Sequence, residues 1–213
     1  DSFGDGQGGP GQANALLARP LRIVADTTGR FTGDRGNVVV AALNRWAFTV
    51  SNNASVQFEG LIFGPSLNDG RYYGVYANGV SASVTVVNCR FQNVYYGGLV
   101  YSGRLIASNC DFVGNVYGAY GSNLANGVVL NNCRSEMSGI ISRGDTRAVS
   151  VYGGEARISR IDVSNSKSYG IYTANMTQLE LGNCRFKATE SWAVHAHGEK
   201  LSIIDSTFDG TKH

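Results

Sequence analysis

A four-residue frame recurs along this chain and carries aromatic rings with it: YGVY (73–76), YGGL (96–99), YGAY (117–120), SGII (138–141), YGIY (169–172) and WAVH (192–195). Its first and fourth positions hold Tyr73, Tyr76, Tyr96, Tyr117, Tyr120, Tyr169, Tyr172, Trp192 and His195. Rings repeated along one face offer flat apolar surface edged by hydroxyls, which is what a sugar ring stacks on and bonds to. The competing expectation is structural: the rings pad an outward strand face, or pack beneath loops or a neighbouring subunit. His195 and His197 stand two apart, so on a strand both point to one side and could share a metal. No third ligand is evident nearby, and the expectation is no metal site and no cofactor. Glycoside hydrolysis would need two carboxyl groups, about 5 Å apart for retention or about 6.5–9.5 Å for inversion. Asp145 and Glu155 are the candidates, because both fall in RGDTRAVSVYGGE (143–155), which reads as a long loop. Glu59, Glu136 and Glu190 are the other carboxylates with no expected partner.

The elements that must position these groups are short strands. The chain has 213 residues, 43% hydrophobic and 16% charged, with 28 glycines and three prolines. That composition excludes a disordered tail and suits many strands joined by tight turns. A formal net charge of +2 gives no general attraction to nucleic acid or to an anionic membrane. No apolar run approaches the ~20 residues that cross a bilayer, so no membrane insertion is expected.

The strands are set by an internal repeat. VTVVNCRF (84–91), LIASNCDF (105–112) and LELGNCRF (179–186) share one register, and Cys133 in GVVLNNCRS (127–135) falls into the same frame. Weaker copies are VQFEGLIF (56–63), ARISRIDV (156–163) and LSIIDSTF (201–208). The position of the cysteine is then Leu61, Cys89, Cys110, Cys133, Ile161, Cys184 and Ser206, at spacings of 21–28 residues. Two residues later come Phe63, Phe91, Phe112, Ser135, Val163, Phe186 and Phe208. Three and five residues earlier the columns are apolar too, through Leu130 and Val128 in the fourth copy. Alternation of period two over seven copies predicts an all-β right-handed parallel β-helix, with about seven clear coils plus irregular N-terminal ones.

The remaining columns read as structural. One residue past the cysteine, Arg90, Asp111, Arg134, Asp162 and Arg185 alternate in sign, which favours the correct register. Asn88, Asn109, Asn132 and Asn183 precede the cysteines and form an internal Asn ladder or mark a bend. The four cysteines sit about one rung, or 4.8 Å, apart with parallel Cβ vectors, whereas a disulfide needs Cβ atoms about 3.8 Å apart. They are expected as core thiols. The Gly-rich residues 1–20 read as an opening segment or cap, 21–210 as the solenoid and 211–213 as a tail. LLARPLRIVA (16–25) could cover one open end.

The N-C-[RD]-F coils, stacked Asn and Gly-bearing turns over Val56 to Phe208 resemble the parallel β-helix proteins of the pectin-lyase-like superfamily. The resemblance is closest to phage tailspike or other surface-spike β-helices. It implies binding of cell-surface polysaccharide in host recognition, a homotrimer, and a place on a virion surface or outside the cell. It implies an alternative as well, a polysaccharide lyase or glycoside hydrolase. The paired aspartates and Gly-His-Gly turn of polygalacturonases are not matched by AVHAHG (193–198), and a non-catalytic structural or adhesive β-helix is the third expectation.

Overall fold

The computed structural model describes residues 15–30, 36–40, 46–51, 53–64, 73–92, 94, 96–101, 103–113, 126–143 and 147–210. Every described regular element is a strand, and every strand pairing is parallel. The chain winds through three faces. The first stacks Ala15–Leu17, Trp46–Val50, Tyr73–Asn78, Tyr96–Tyr101, the starts of Asn126–Ser138 and Arg147–Ser159, Tyr169–Ala174 and Val194–His195. The second stacks Leu21–Val24, Ser55–Glu59, Ser83–Val87, Arg104–Ser108, the ends of the same two long strands, Met176–Gly182 and Gly198–Ile204. The third is a sheet of eight short strands from Val39–Val40 to Thr207–Asp209, close to the coil count the repeat predicts. Asn126–Ser138 and Arg147–Ser159 run 13 residues each around the first corner, which joins the first two faces into one 14-stranded sheet.

The turn between the second and third faces explains the asparagines. Gly60, Asn88, Asn109, Gly139, Arg160, Asn183 and Asp205 occupy one column, and all have φ between 48° and 72°. The left-handed region costs most residues about 1–2 kcal/mol, and Gly, Asn and Asp least. A bend, not a strand-internal ladder, is what the column provides.

Inside, the apolar columns meet. Phe63, Phe91 and Phe112 stack face to face at 4.5 and 4.8 Å with interplanar angles of 5° and 4°. Phe186 and Phe208 repeat the arrangement at 5.2 Å and 8°. Each fully buried ring contributes about 1.5–3 kcal/mol of transfer free energy. Cys89, Cys110 and Cys184 are free, buried thiols, as the repeat predicts. Their Sγ atoms donate to the carbonyls of Val87, Ser108 and Gly182 at 3.3–3.4 Å. Burial raises all three thiol pKa values, that of Cys110 to about 12.

One coil departs from the expected frame. Asp111 pairs with Ile141, and Ile141 with Asp162, so the cysteine position in that coil is Ile140 and not Cys133. Cys133 pairs with Gly154 at the first corner. Asn132 lies within the long strand, and its place in the bend column is taken by Gly139. Arg134 is therefore absent from the third-face charge ladder, which Ile141 interrupts; Arg134 pairs with Arg104 and Glu155 on the second face. Val128 and Leu130 belong to the first face; Ser135 is in register with Leu105, and buried Met137 and Ser142 take the levels of Ala107 and Phe112. The cause is mimicry. Asn132-Cys133-Arg134 copies the bend signature, but the bend needs only a residue that tolerates positive φ, and Gly139 supplies it.

Ala15–Leu17 pairs with Phe48–Val50, and Leu21–Val24 with Val56–Glu59. Residues of LLARPLRIVA are thus strands stacked on the next level, and Leu16 and Leu21 are exposed. At the other end the described inward columns also reach the surface, at Leu201, Ile203 and Phe208.

Candidate functional site

The aromatic frame raises a geometric question, since residues three apart in a regular strand point to opposite sides. Pairing of Arg147–Tyr152 with Tyr169–Ala174 skips the second position of the frame: Arg147 faces Tyr169 and Val149 faces Ile171. Two consecutive amides, of Gly170 and Ile171, donate to the same neighbouring strand, to Trp192 O and Ala193 O. The same skip recurs residue for residue in neighbouring strands, so the strands bend together there, and the ring contact places Tyr169 and Tyr172 on the same outer side. Glycine permits it. A Cβ on Gly170 would lie 2.5 Å from Ala193 O and 2.8 Å from the Phe186 ring, and one on Gly74 would meet Gly97 O at 2.3 Å and Phe91 at 2.8 Å.

On the last levels of the first face this places Tyr169, Tyr172, Trp192 and His195 in one cluster. Tyr169 and Tyr172 have centroids 5.3 Å apart, and Tyr169 and His195 also 5.3 Å. His195 stacks on Tyr172 at 5.4 Å and 2°, and Trp192 meets His195 edge-on at 5.9 Å. Tyr152 adds a fifth ring 5.7 Å from Tyr172. The Arg147 guanidinium sits 4.5 Å from the Tyr172 centroid and 5.1 Å from that of Tyr169, and its Nη1 donates to Tyr152 Oη at 3.3 Å. Its Nε is buried without a partner. Trp192 is 47% exposed and the tyrosines are half-buried, so the cluster has a sugar-sized apolar face with hydroxyls and a cation at its edge.

Arg147 and Tyr152 were not anticipated. RAVS (147–150) occupies the level at which the sequence frame placed SGII (138–141), and SGII itself lies at the second-to-third-face bend. The signal was present as an apolar pair between two outward residues, but no ring at its ends drew attention. Trp46, Tyr73 and Tyr96 share a register position at successive levels of the first face, and the level starting at Asn126 lies between them and the levels of the ring cluster. Tyr117 and Tyr120 lie outside the described residues.

Asp145 lies outside the described residues, and the segment taken as a loop is, from Arg147 onward, a strand. Period-two alternation in AVSVYGGEARIS was masked by the Gly153–Gly154 corner, where φ is 69° and 79°. Glu155 stands past that corner on the second face, opposite Arg134 and Gln178. Glu59 and Glu136, expected to be unpaired, bond Arg22 and Arg104.

The second face carries a groove of about 650 Å³ lined by Ile106, Ser108, Glu136, Arg157, Glu180 and Ser202 among others. Glu136, Arg157 and Glu180 are successive in the ladder, and Arg157 Nε lies 3.1 Å from Glu180 Oε2. Two rungs put the glutamate backbones about 9.6 Å apart. Each carboxylate faces a guanidinium: Arg104 Nη2 donates to Glu136 Oε1 at 3.2 Å, and Arg157 pairs with Glu180.

No curated protein and no solved structure matches the chain. The family model described as the right handed beta helix region matches residues 44–213, in agreement with the three stacked parallel faces, and the chain belongs to that right-handed β-helix family.

Proposed function

We propose that this chain is a polysaccharide-binding β-helix module of a surface spike, of the phage tailspike kind, that recognises glycan on a host cell. One observation carries the reading: Tyr169, Tyr172, Trp192 and His195 form a continuous, partly exposed ring cluster with Arg147 at its edge. Rings inside the solenoid stack are buried, as Phe63, Phe91, Phe112 and Phe186 are. The arginine favours sugars that bear a carboxylate or dense hydroxyls. The reading includes a homotrimer outside the cell or on a virion, with each solenoid flanked by two others. It assigns no hydrolysis, since the paired glutamates of the groove are ion-paired and Glu155 is remote from the rings.

A glycan array on the purified chain, with reducing-end and unsaturated-product assays on each hit, tests the reading. Saturable binding without product, reduced tenfold or more by Tyr172→Ala and by Trp192→Ala, is the expected result. Product release would replace binding by depolymerisation. Silence across a broad array of neutral and acidic glycans would leave the rings as packing alone. Analytical ultracentrifugation tests the trimer, for which a monomer at micromolar concentration is the opposing outcome.

A further inference from the structure

We propose that His195 and His197 form a chelating site for a borderline divalent transition metal, Cu(II), Ni(II) or Zn(II). The two Nε2 atoms face each other at 3.1 Å. With metal–nitrogen bonds of about 2.0–2.1 Å, that separation corresponds to a bite angle of roughly 95–102°, between square-planar and tetrahedral. The spacing of the two nitrogens is therefore within reach of a single ion. Their orientation is fixed from outside the pair: His195 lies flat on Tyr172 at 2° and is abutted by the edge of Trp192, and its ring is 4.8 Å from that of His197. The backbone amide of His197 donates to the buried Thr173 Oγ1 at 3.0 Å, which anchors the second ligand to the neighbouring level.

Among the described residues no group of three His, Cys, Asp or Glu side chains is gathered, so the pair is a two-ligand site. His197 is exposed, and the remaining coordination positions open to water and to incoming oxygen donors. The alternative for a 3.1 Å contact is an N–H···N hydrogen bond between two neutral imidazoles, which uses the same geometry and binds nothing. Metal binding does not require glycan binding, although Tyr172 and Trp192 orient the His195 ring.

Isothermal titration of the full chain with each metal chloride, in a non-coordinating buffer, separates these possibilities. The expected result is one saturable site per chain, weakened at least tenfold by His195→Gln and by His197→Ala alone and unaffected by His213→Ala. Copper EPR of the complex should show nitrogen couplings that the His197→Ala chain lacks, which separates the site from thiolate binding. Circular dichroism confirms that each variant is folded, and exposed His197 is the safer of the two to replace. Absence of a saturable site, or binding unchanged in both variants, would overturn the proposal and leave the hydrogen bond as the reason the rings meet. A chain that binds metal but no glycan would retain this inference and lose the functional one.

Discussion

Two sets of aromatic rings run along the solenoid axis, and they obey different rules. On the third face Phe63, Phe91 and Phe112 are identical, buried and parallel, separated by the rung spacing and tilted by 4–5°. On the first face Tyr152, Tyr169, Tyr172, Trp192 and His195 are mixed in type and part-exposed, and most of their ring pairs are inclined at 52–70°. The inner stack repeats because a residue that fits one level fits the next when each coil lies on a copy of itself. The outer group is not a repeat but an assembly, in which a local bend of the strands, an arginine and three levels each contribute. Packing produces uniformity along the axis. A site breaks it.

The comparison can be broken most severely from the inside. Phe91→Ala removes the middle ring of three and should destabilise the fold by about 3–5 kcal/mol, read as a lower urea midpoint. Alkali comes next. Burial holds the Cys110 thiol neutral up to about 12 against an ordinary value of 9.0. A folded-state pKa raised in this way gives stability that is complete below pH 9 and is lost as pH rises towards 12. Chemical denaturation should therefore show stability falling over pH 9–12, with a shallower fall in Cys110→Ala.

Tyr172→Ala sharpens the contrast from the outside. The expected change in folding stability is no more than about 1 kcal/mol, because the ring is half-exposed, while affinity for any glycan hit falls at least tenfold, about 1.4 kcal/mol. A loss of several kcal/mol in folding stability would instead place this ring with the inner set. Asn183→Ala at the left-handed bend should cost about 1 kcal/mol and Asn183→Gly nearly nothing, in the same urea titration. Smallest is Arg157→Ala. Its partner Glu180 is partly exposed, so the pair is worth about 0.2–1 kcal/mol, and the difference should vanish in molar salt.

Legibility in the sequence followed the same division. The inward columns could be read because Phe, Val, Leu and Cys recur at a period of two in a register that neighbouring coils share, as at Phe91, Phe112 and Phe186. The register failed in the coil that holds Cys133, where Asn-Cys-Arg occurs by coincidence and the working bend is Gly139-Ile140. Bends are specified by tolerance of positive φ, which Gly, Asn, Asp and here even Arg160 satisfy, so they leave no unique letter. The candidate site was half legible. Tyr169, Tyr172, Trp192 and His195 announce themselves by type, whereas Arg147 and Tyr152 join through a register that only pairing reveals. The distance between two imidazole nitrogens depends on ring torsions, which spacing in the chain does not encode.

The two long strands that turn the first corner have a mechanical consequence. A solenoid pulled along its axis sheds levels from its ends, one short strand after another, and each face can let go separately. At Asn126–Ser138 and Arg147–Ser159 that is no longer so, because one pair of strands runs across two faces, paired on both sides of the corner, and ties the two faces together. The pairing between these strands acts as a rivet at mid-length. Under load, fraying from either end should halt there, leaving the ring cluster on the side that unravels from the C-terminal end.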